Sequence, residues 1–205
     1  MSNSTTISVF ATPIKIINNF LSEDQCGEIF NVCLNSNTKS HGSLKNGTSS
    51  FNLSSNFLDQ FPLIKTKIKN ELDNFSEDFK LHFLKITNSW FNIQESNSSL
   101  NQHHHRGSIL SGALYINVDE DSSGIVFYNP NYYISHVFSY ARRDSSLDFN
   151  FSDFVSYKPF KGDLVLFPSH IKHGSHDEIN KTLNRTVVSF NTDLDLNEND
   201  ISKFY

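Results

Sequence analysis

The sequence predicts a mainly β protein, an antiparallel barrel or double-sheet jelly roll with helices packed on its outside. Three observations carry this. Two stretches in the first eighty residues place apolar side chains at helical spacing. From about residue 81 the apolar period drops to two, and short strand patterns separated by turn residues run to the C-terminal region with no further long helix. Nineteen Phe in 205 residues supply the large buried surface that such a core needs.

Taken in order, Thr12–Ile17 reads as a short first strand. Ser22-Glu23-Asp24-Gln25 has the form of a capping box, and Cys26, Ile29, Phe30, Cys33 and Leu34 follow on one helical face. Residues 35–56 are rich in Ser, Asn and Gly and predict a loop or irregular strand. A second helix is expected from about Asp59 to Phe75, with Phe61, Ile64, Ile68 and Leu72 on one stripe and Pro62 in its first turn. A strand region covers Leu81–Gln94, followed by strands at Leu110–Asn117, Ser123–Tyr128, Asp153–Lys158, Asp163–Phe167 and Arg185–Thr192. The piece Asn129–Asp148 is too long for a hairpin turn, and loops of that length tend to serve function.

The length fits one domain over residues 1–205: helical support over about 1–80, a β core over about 81–195, and the 129–148 loop as an insertion. A net charge of −5 argues against a general nucleic-acid binder. Met1–Thr6 shows no signal-peptide pattern, and no apolar run approaches the roughly 20 residues of a membrane helix. Cys26 and Cys33 lie two helical turns apart, out of bridging range, so they read as small core residues. The expected compartment is a reducing cytoplasm. Oligomeric state is not readable.

Chemistry concentrates in Asn101-Gln102-His103-His104-His105-Arg106-Gly107-Ser108. If these residues are extended, His103 and His105 share one side and His104 faces away. A His-x-His pair of this kind is a two-point clamp for iron, copper, nickel or zinc. A third ligand is available among His170, His173 and His176, which follow the apolar strand Leu164–Phe167 and Pro168. Arg185 opens the next strand. Should the two segments pair as antiparallel neighbours, His173 and Arg185 project into one barrel. A buried arginine needs an anion, and its planar fork suits a carboxylate. An acid that chelates a metal at one end and meets arginine at the other satisfies both demands.

The order His-x-His, Gly112-Ala113-Leu114-Tyr115-Ile116-Asn117, Ser123-Gly124-Ile125-Val126-Phe127-Tyr128-Asn129-Pro130, then Gly162-Asp163-Leu164-Val165-Leu166-Phe167-Pro168-Ser169-x-x-x-His173 and Arg185-Thr186-Val187-Val188-Ser189-Phe190-Asn191 resembles the 2-oxoglutarate/Fe(II)-dependent oxygenases. It looks most similar to a small branch found in marine bacteria and their phages, related to prolyl hydroxylase-like dioxygenases, and spans about Trp90–Asn191. The resemblance implies a double-stranded β-helix, cupin-like jelly-roll core. It implies Fe(II) held by His103, His105 and His173, with 2-oxoglutarate and O2 as co-substrates. Of the three downstream histidines it selects His173, because Pro168-Ser169-x-x-x-His173 is the spacing the family shares. It further implies that Arg185 binds the distal carboxylate of 2-oxoglutarate, assisted by Tyr115, with Asn92 also within reach of the co-substrate.

One departure stands out: most members carry Asp or Glu where this chain has His105. The activity implied is hydroxylation of a substrate that the sequence does not name, with decarboxylation of 2-oxoglutarate to succinate and CO2. The alternatives are a cupin-like metal-binding or sensing protein without turnover, and a three-histidine dioxygenase that uses no 2-oxoglutarate. Tyr115 is also readable as a plain core aromatic. Trp90 is expected in the core, Arg142-Arg143 in the long loop are available to an anionic substrate, and His41, His82 and His136 carry no signal. The expected setting is a bacterial cytoplasm, the gene being bacterial or phage-borne.

Overall fold

Strand alternation sorts the apolar residues of this protein onto two faces of one large sheet, and that sorting builds the molecule. The structure is a computed structural model that describes residues 12–53, 56–81, 83–131, 152–175 and 178–195. Its elements are β1 (Lys15–Ile17), α1 (Glu23–Leu34), β2 (Lys39–Ser40), β3 (Leu44–Ser49), a 3-10 turn (Phe57–Gln60), α2 (Pro62–Asp78), β4 (Leu84–Leu100), β5 (Leu110–Asn117), β6 (Ile125–Tyr128), β7 (Phe154–Tyr157), β8 (Leu164–Pro168), β9 (His173–Gly174) and β10 (Arg185–Leu194). A seven-stranded sheet runs β1-β8-β5-β10-β4-β3-β2, and a three-stranded sheet runs β7-β6-β9. Every ladder among these strands is antiparallel.

One face of the large sheet meets the helices. Phe91 and Ile93 of β4, Leu114 and Ile116 of β5, Leu164 and Leu166 of β8, and Val188 and Phe190 of β10 pack there. Against them lie Cys26, Ile29 and Cys33 of α1 and Ile64, Ile68, Leu72 and Phe75 of α2. The intervening residues point to the other face, where Ala113, Tyr115, Val165, Phe167 and Val187 meet Ile125 and Phe127 of the small sheet. A one-residue slip in any strand would exchange these faces, so the buried pattern fixes the register.

The capping box forms as expected: Gln25 N–H donates to Ser22 Oγ, and Ser22 N–H to Gln25 Oε1. Burial pushes the Cys26 and Cys33 thiols up, to about 11 and about 12, which leaves them inert core groups. The second helix begins at Pro62 rather than Asp59, because Phe57–Gln60 forms a separate 3-10 turn and Pro takes the first helical position. The Ser/Asn-rich stretch supplies β2 and β3, which extend the large sheet at its edge. Strand β4 is longer than the apolar pattern shows. The polar residues Glu95, Ser96, Asn97, Ser98 and Ser99 carry it on to Leu100, through a register shift opposite Lys45 and Gly47. Most of the long loop, residues 132–148, lies outside the described residues, as do His82, His136, Arg142, Arg143 and His176.

Gly112 sits where β5 crosses under the Phe190 ring: a Cβ there would stand 2.1 Å from the ring's Cζ. Gly112→Ala is therefore expected to destabilise the fold by about 1–3 kcal/mol, the usual cost of overpacking a filled core. Urea denaturation measures it, and an unchanged midpoint would show that Phe190 can move aside.

Candidate active site

Strand β4 ends at Leu100, so the histidine triplet follows a strand rather than lying on one. Its backbone stays extended because it is pinned elsewhere. His103 and His173 exchange N–H···O=C bonds at 2.9 Å in both directions, and His105 N–H donates to Ser169 O at 3.0 Å. The alternation expected of a strand therefore survives without one. His103, His105 and His173 converge, with one ring nitrogen from each lying within 4.8 Å of the others. Ring centroids are 4.4 Å apart for His103–His173 and 5.1 Å for each of the other two pairs. His104 turns aside, and Arg106 Nε donates to its Nε2 at 3.3 Å. His170 is exposed on the turn after β8 and stands outside the cluster.

Backbone carbonyls set two of the three tautomers. His103 Nδ1 lies 2.8 Å from Asn101 O and His173 Nδ1 lies 2.9 Å from Ile171 O, so each Nδ1–H donates there and each Nε2 lone pair is left for a metal. Burial lowers the pKa of all three rings. It is the largest cause for His105, which falls to about 4, and for His173, which falls to about 3; neighbouring histidines add to it. His103 is lowered by burial as well, with the Asn101 carbonyl opposing. The cluster is thus uncharged at neutral pH, as a metal requires of imidazole ligands.

These rings line a cavity of about 170 Å³ between the two sheets. Its other wall is built in layers by strand register. Arg185 pairs with Gln94, Val187 with Asn92, and Ser189 with Trp90. Tyr115 and Ala113 of β5 pair with Val187 and Ser189 from the other side. All of these residues line the cavity. Arg185 and His173 are therefore not on neighbouring strands, as the spacing suggested. β10 lies between β4 and β5 in the large sheet, β9 pairs with β6 in the small one, and the two residues face each other across the barrel.

Arg185 is only 5% exposed. Its Nε donates to Ser123 O at 3.1 Å, an Nη1–H donates to Gln94 Oε1, and its guanidinium carbon lies 5.6 Å from the centroid of the Tyr115 ring. Among the described residues it makes no ion pair. Burial pulls its pKa down, opposed by Tyr115 and Glu178, yet a guanidinium stays charged at neutral pH. Burial also raises the Tyr115 phenol, which keeps its proton, and its hydroxyl has no hydrogen-bond partner among the described residues. Ser123 Oγ is buried beside Arg185 and equally unpartnered. A buried cation flanked by two idle hydroxyls has the chemistry to hold an anion.

Sequence reasoning missed Gln94 and Ser123. Trp90 is buried as expected, but its ring lines the cavity, 5.7 Å from the His105 ring. His41, for which no role was legible beforehand, lines the same cavity. The position of Trp90 on the same strand face as Asn92 and Gln94 was the signal available for both Trp90 and Gln94.

The histidine cluster has a signed consequence for stability. Unfolded, each ring titrates near about 6.5. Folded, all three titrate lower. Above pH ~6.5 the rings are neutral in both states, and as pH falls below it the unfolded chain takes up protons that the fold refuses. Metal-free protein should therefore lose stability between about pH 6.5 and 5. Urea midpoints across that window check this, and His173→Gln should flatten the slope. A wild-type slope equal to that of the variant would contradict neutral burial of His173.

Comparison with known proteins adds to this geometry. Residues 88–191 match the family described as "Putative 2OG-Fe(II) oxygenase", more than half of the chain. No curated protein matches. Solved structures share the fold at low identity. HygX from Streptomyces hygroscopicus, with nickel and 2-oxoglutarate bound, is 10% identical over 90% of this chain and 84% of its own, with a TM-score of 0.59. A prolyl hydroxylase from Trichoplax adhaerens, in complex with a hypoxia inducible factor peptide, is 12% identical over 88% and 83%, with a TM-score of 0.58. The viral collagen prolyl hydroxylase of Paramecium Bursaria Chlorella virus-1, in its 2-oxoglutarate complex, is 10% identical over 87% and 94%, with a TM-score of 0.57. The two antiparallel sheets are thus the double-stranded β-helix, and the chain belongs to the 2-oxoglutarate- and Fe(II)-dependent oxygenase family.

Proposed function

We propose that His103, His105 and His173 hold the Fe(II), that Arg185 binds the distal carboxylate of 2-oxoglutarate, and that the enzyme is a hydroxylase. The observation that carries this reading is Arg185 itself: a buried cation without an ion-pair partner among the described residues, lining the same cavity as the three histidines. The donor set fits the metal. Three neutral imidazoles suit iron, and two have their second nitrogen tied to a carbonyl. The unpartnered Ser123 Oγ and the Tyr115 side chain, which line the same cavity as Arg185, fit the carboxylate. A metal-binding or sensing protein, or a three-histidine dioxygenase without 2-oxoglutarate, would leave that buried charge unanswered.

When bound, Fe(II) and 2-oxoglutarate supply oxygen activation, with 2-oxoglutarate leaving as succinate and CO2. The chain's own residues position and exclude. Gln94 and the Ser123 carbonyl take two of the Arg185 donors and aim the remainder into the cavity. Tyr115 would donate a hydrogen bond from its hydroxyl to the same carboxylate, and Asn92, beside Val187 one layer from Arg185, would face the body of the co-substrate. Phe127 and Phe167 pack near the His173 ring, at 6.4 and 4.6 Å between centroids, and keep water from that side of the cluster. Free, buried Cys26 and Cys33 accord with work in a reducing cytoplasm. The helices before β4 act as support for the β core within one domain, their buried faces shared with the large sheet.

Succinate formed under air from 2-oxoglutarate and Fe(II) tests the reading without a guess at the substrate. Wild type should turn over slowly. Arg185→Ala removes one partner of a buried charge pair, worth about 2–5 kcal/mol, and should raise the KM for 2-oxoglutarate roughly thirtyfold or more. His173→Ala should abolish Fe(II) binding. An Arg185→Ala enzyme with wild-type KM would overturn the co-substrate assignment.

A further inference from the structure

The cavity is divided by polarity along its strands. At the Arg185–Gln94 layer it is charged; four residues along β4, about 13 Å away at ~3.3 Å per residue, it is aromatic. There the Trp90 and Phe51 rings meet edge-on at 5.1 Å, and Phe51 and His41 meet edge-on at 5.4 Å. With His105 at 5.7 Å from Trp90, these rings form a continuous wall that leads outward from the histidine cluster. Phe51 is only partly buried, yet its backbone is held firmly. Its N–H donates to Ser49 Oγ at 3.1 Å, while the adjacent Ser50 receives Phe91 N–H on its Oγ and donates its own N–H to Phe91 O, both at 3.0 Å. Three hydrogen bonds thus fix the backbone that holds this ring on the cavity lining.

We propose that His41, Phe51 and Trp90 form the subsite for the prime substrate, and that it takes a flat, uncharged ring; this rests on the iron and 2-oxoglutarate site proposed above. Charge decides the class. Of the described side chains that line the cavity, Arg185 is the one drawn from Asp, Glu, Lys and Arg. Iron on three neutral imidazoles together with Arg185 brings three positive charges, of which 2-oxoglutarate cancels two. A cationic substrate is repelled, and with no acidic side chain along the described lining it finds no counter-charge. An anionic one finds Arg185 already occupied and would be desolvated against rings. An uncharged ring loses nothing on entry and gains edge-to-face contacts worth about 0.5–1.5 kcal/mol each beyond its buried area. Ser43 and Ser189, which line the same end, can serve polar atoms on its rim.

Trp90 is the single tryptophan of the chain, so its emission reports this subsite alone. Protein loaded anaerobically with Fe(II) and saturated with 2-oxoglutarate is titrated with benzamide, benzoate and benzylamine, one ring carrying no charge, a negative charge or a positive one. Benzamide should change the Trp90 emission and bind at least about tenfold tighter than either ion, a difference of about 1.4 kcal/mol. Phe51→Ala should weaken benzamide by about fivefold, Phe51→Tyr should restore it, and both variants should bind 2-oxoglutarate by calorimetry as wild type does. Benzoate or benzylamine binding as tightly as benzamide, an emission that benzamide leaves unchanged, or Phe51→Ala with undiminished benzamide affinity would each overturn the subsite. Failure of wild type to bind 2-oxoglutarate, seen by calorimetry before any ring is added, would instead overturn the co-substrate reading beneath it.

Discussion

Burying the Arg185 guanidinium at the centre of the large sheet is the constraint to which the rest of the site answers. A charge removed from water costs several kcal/mol unless its donors are met and its charge is balanced. The fold meets part of that demand. Gln94, directly opposite on β4, and the Ser123 carbonyl, brought in at the start of the small sheet, accept two donors, and the Tyr115 ring covers one side. It leaves the remaining donors and the charge itself to be met from the cavity. Since β10 lies between β4 and β5, each side of the arginine is walled by a strand and the opening faces the histidines. On the co-substrate reading proposed above, affinity for an acid is in this sense stored in the folded protein.

The histidine cluster is the complementary half. Three neutral rings, two with their Nδ1–H groups held by carbonyls of their own loops, present nitrogen lone pairs at the other end of the same space. With His105 where most of the family carries a carboxylate, an iron held by the proposed triad would be one unit more positive. That extra charge strengthens the case for an acid as chelating partner, and it also makes the cavity less hospitable to a cationic substrate. His105, alone of the three, has no hydrogen bond on its second nitrogen among the described residues, and its ring instead lies beside Trp90. The histidine cluster and the aromatic wall are thereby joined through one residue.

Much of this was legible in the sequence because alternation is a strong signal. Strand β5 lies where the pattern puts it, and the faces of β5, β8 and β10 follow from period two. The capping box of α1 was readable from four residues. The site histidines and Arg185 were readable as residue types that need partners, and the resemblance chose among His170, His173 and His176. Pairing was the illegible part. Nothing local in Arg185–Leu194 says that it inserts between β4 and β5 rather than beside β8, because that choice is made by contacts more than sixty residues away. For the same reason Gln94 and Ser123 could not be foreseen as partners of Arg185. The burial of Trp90 was readable from its type, but its place on the cavity wall only from the strand face it shares with Asn92 and Gln94, since a large aromatic on a buried strand looks alike whether its neighbour is a helix or a cavity.

On the reading proposed above, one acid bridges the histidine cluster and Arg185. Its most direct test is anaerobic calorimetry of 2-oxoglutarate against wild type and Arg185→Ala, each with and without Fe(II). Glutarate, which lacks the keto oxygen, serves as the control ligand. If the acid spans both groups, 2-oxoglutarate binds the Fe(II)-loaded wild type at least about tenfold tighter than either the metal-free wild type or the loaded variant, and glutarate gains little from iron. Equal affinity with and without iron, or an affinity indifferent to Arg185, would contradict the bridge.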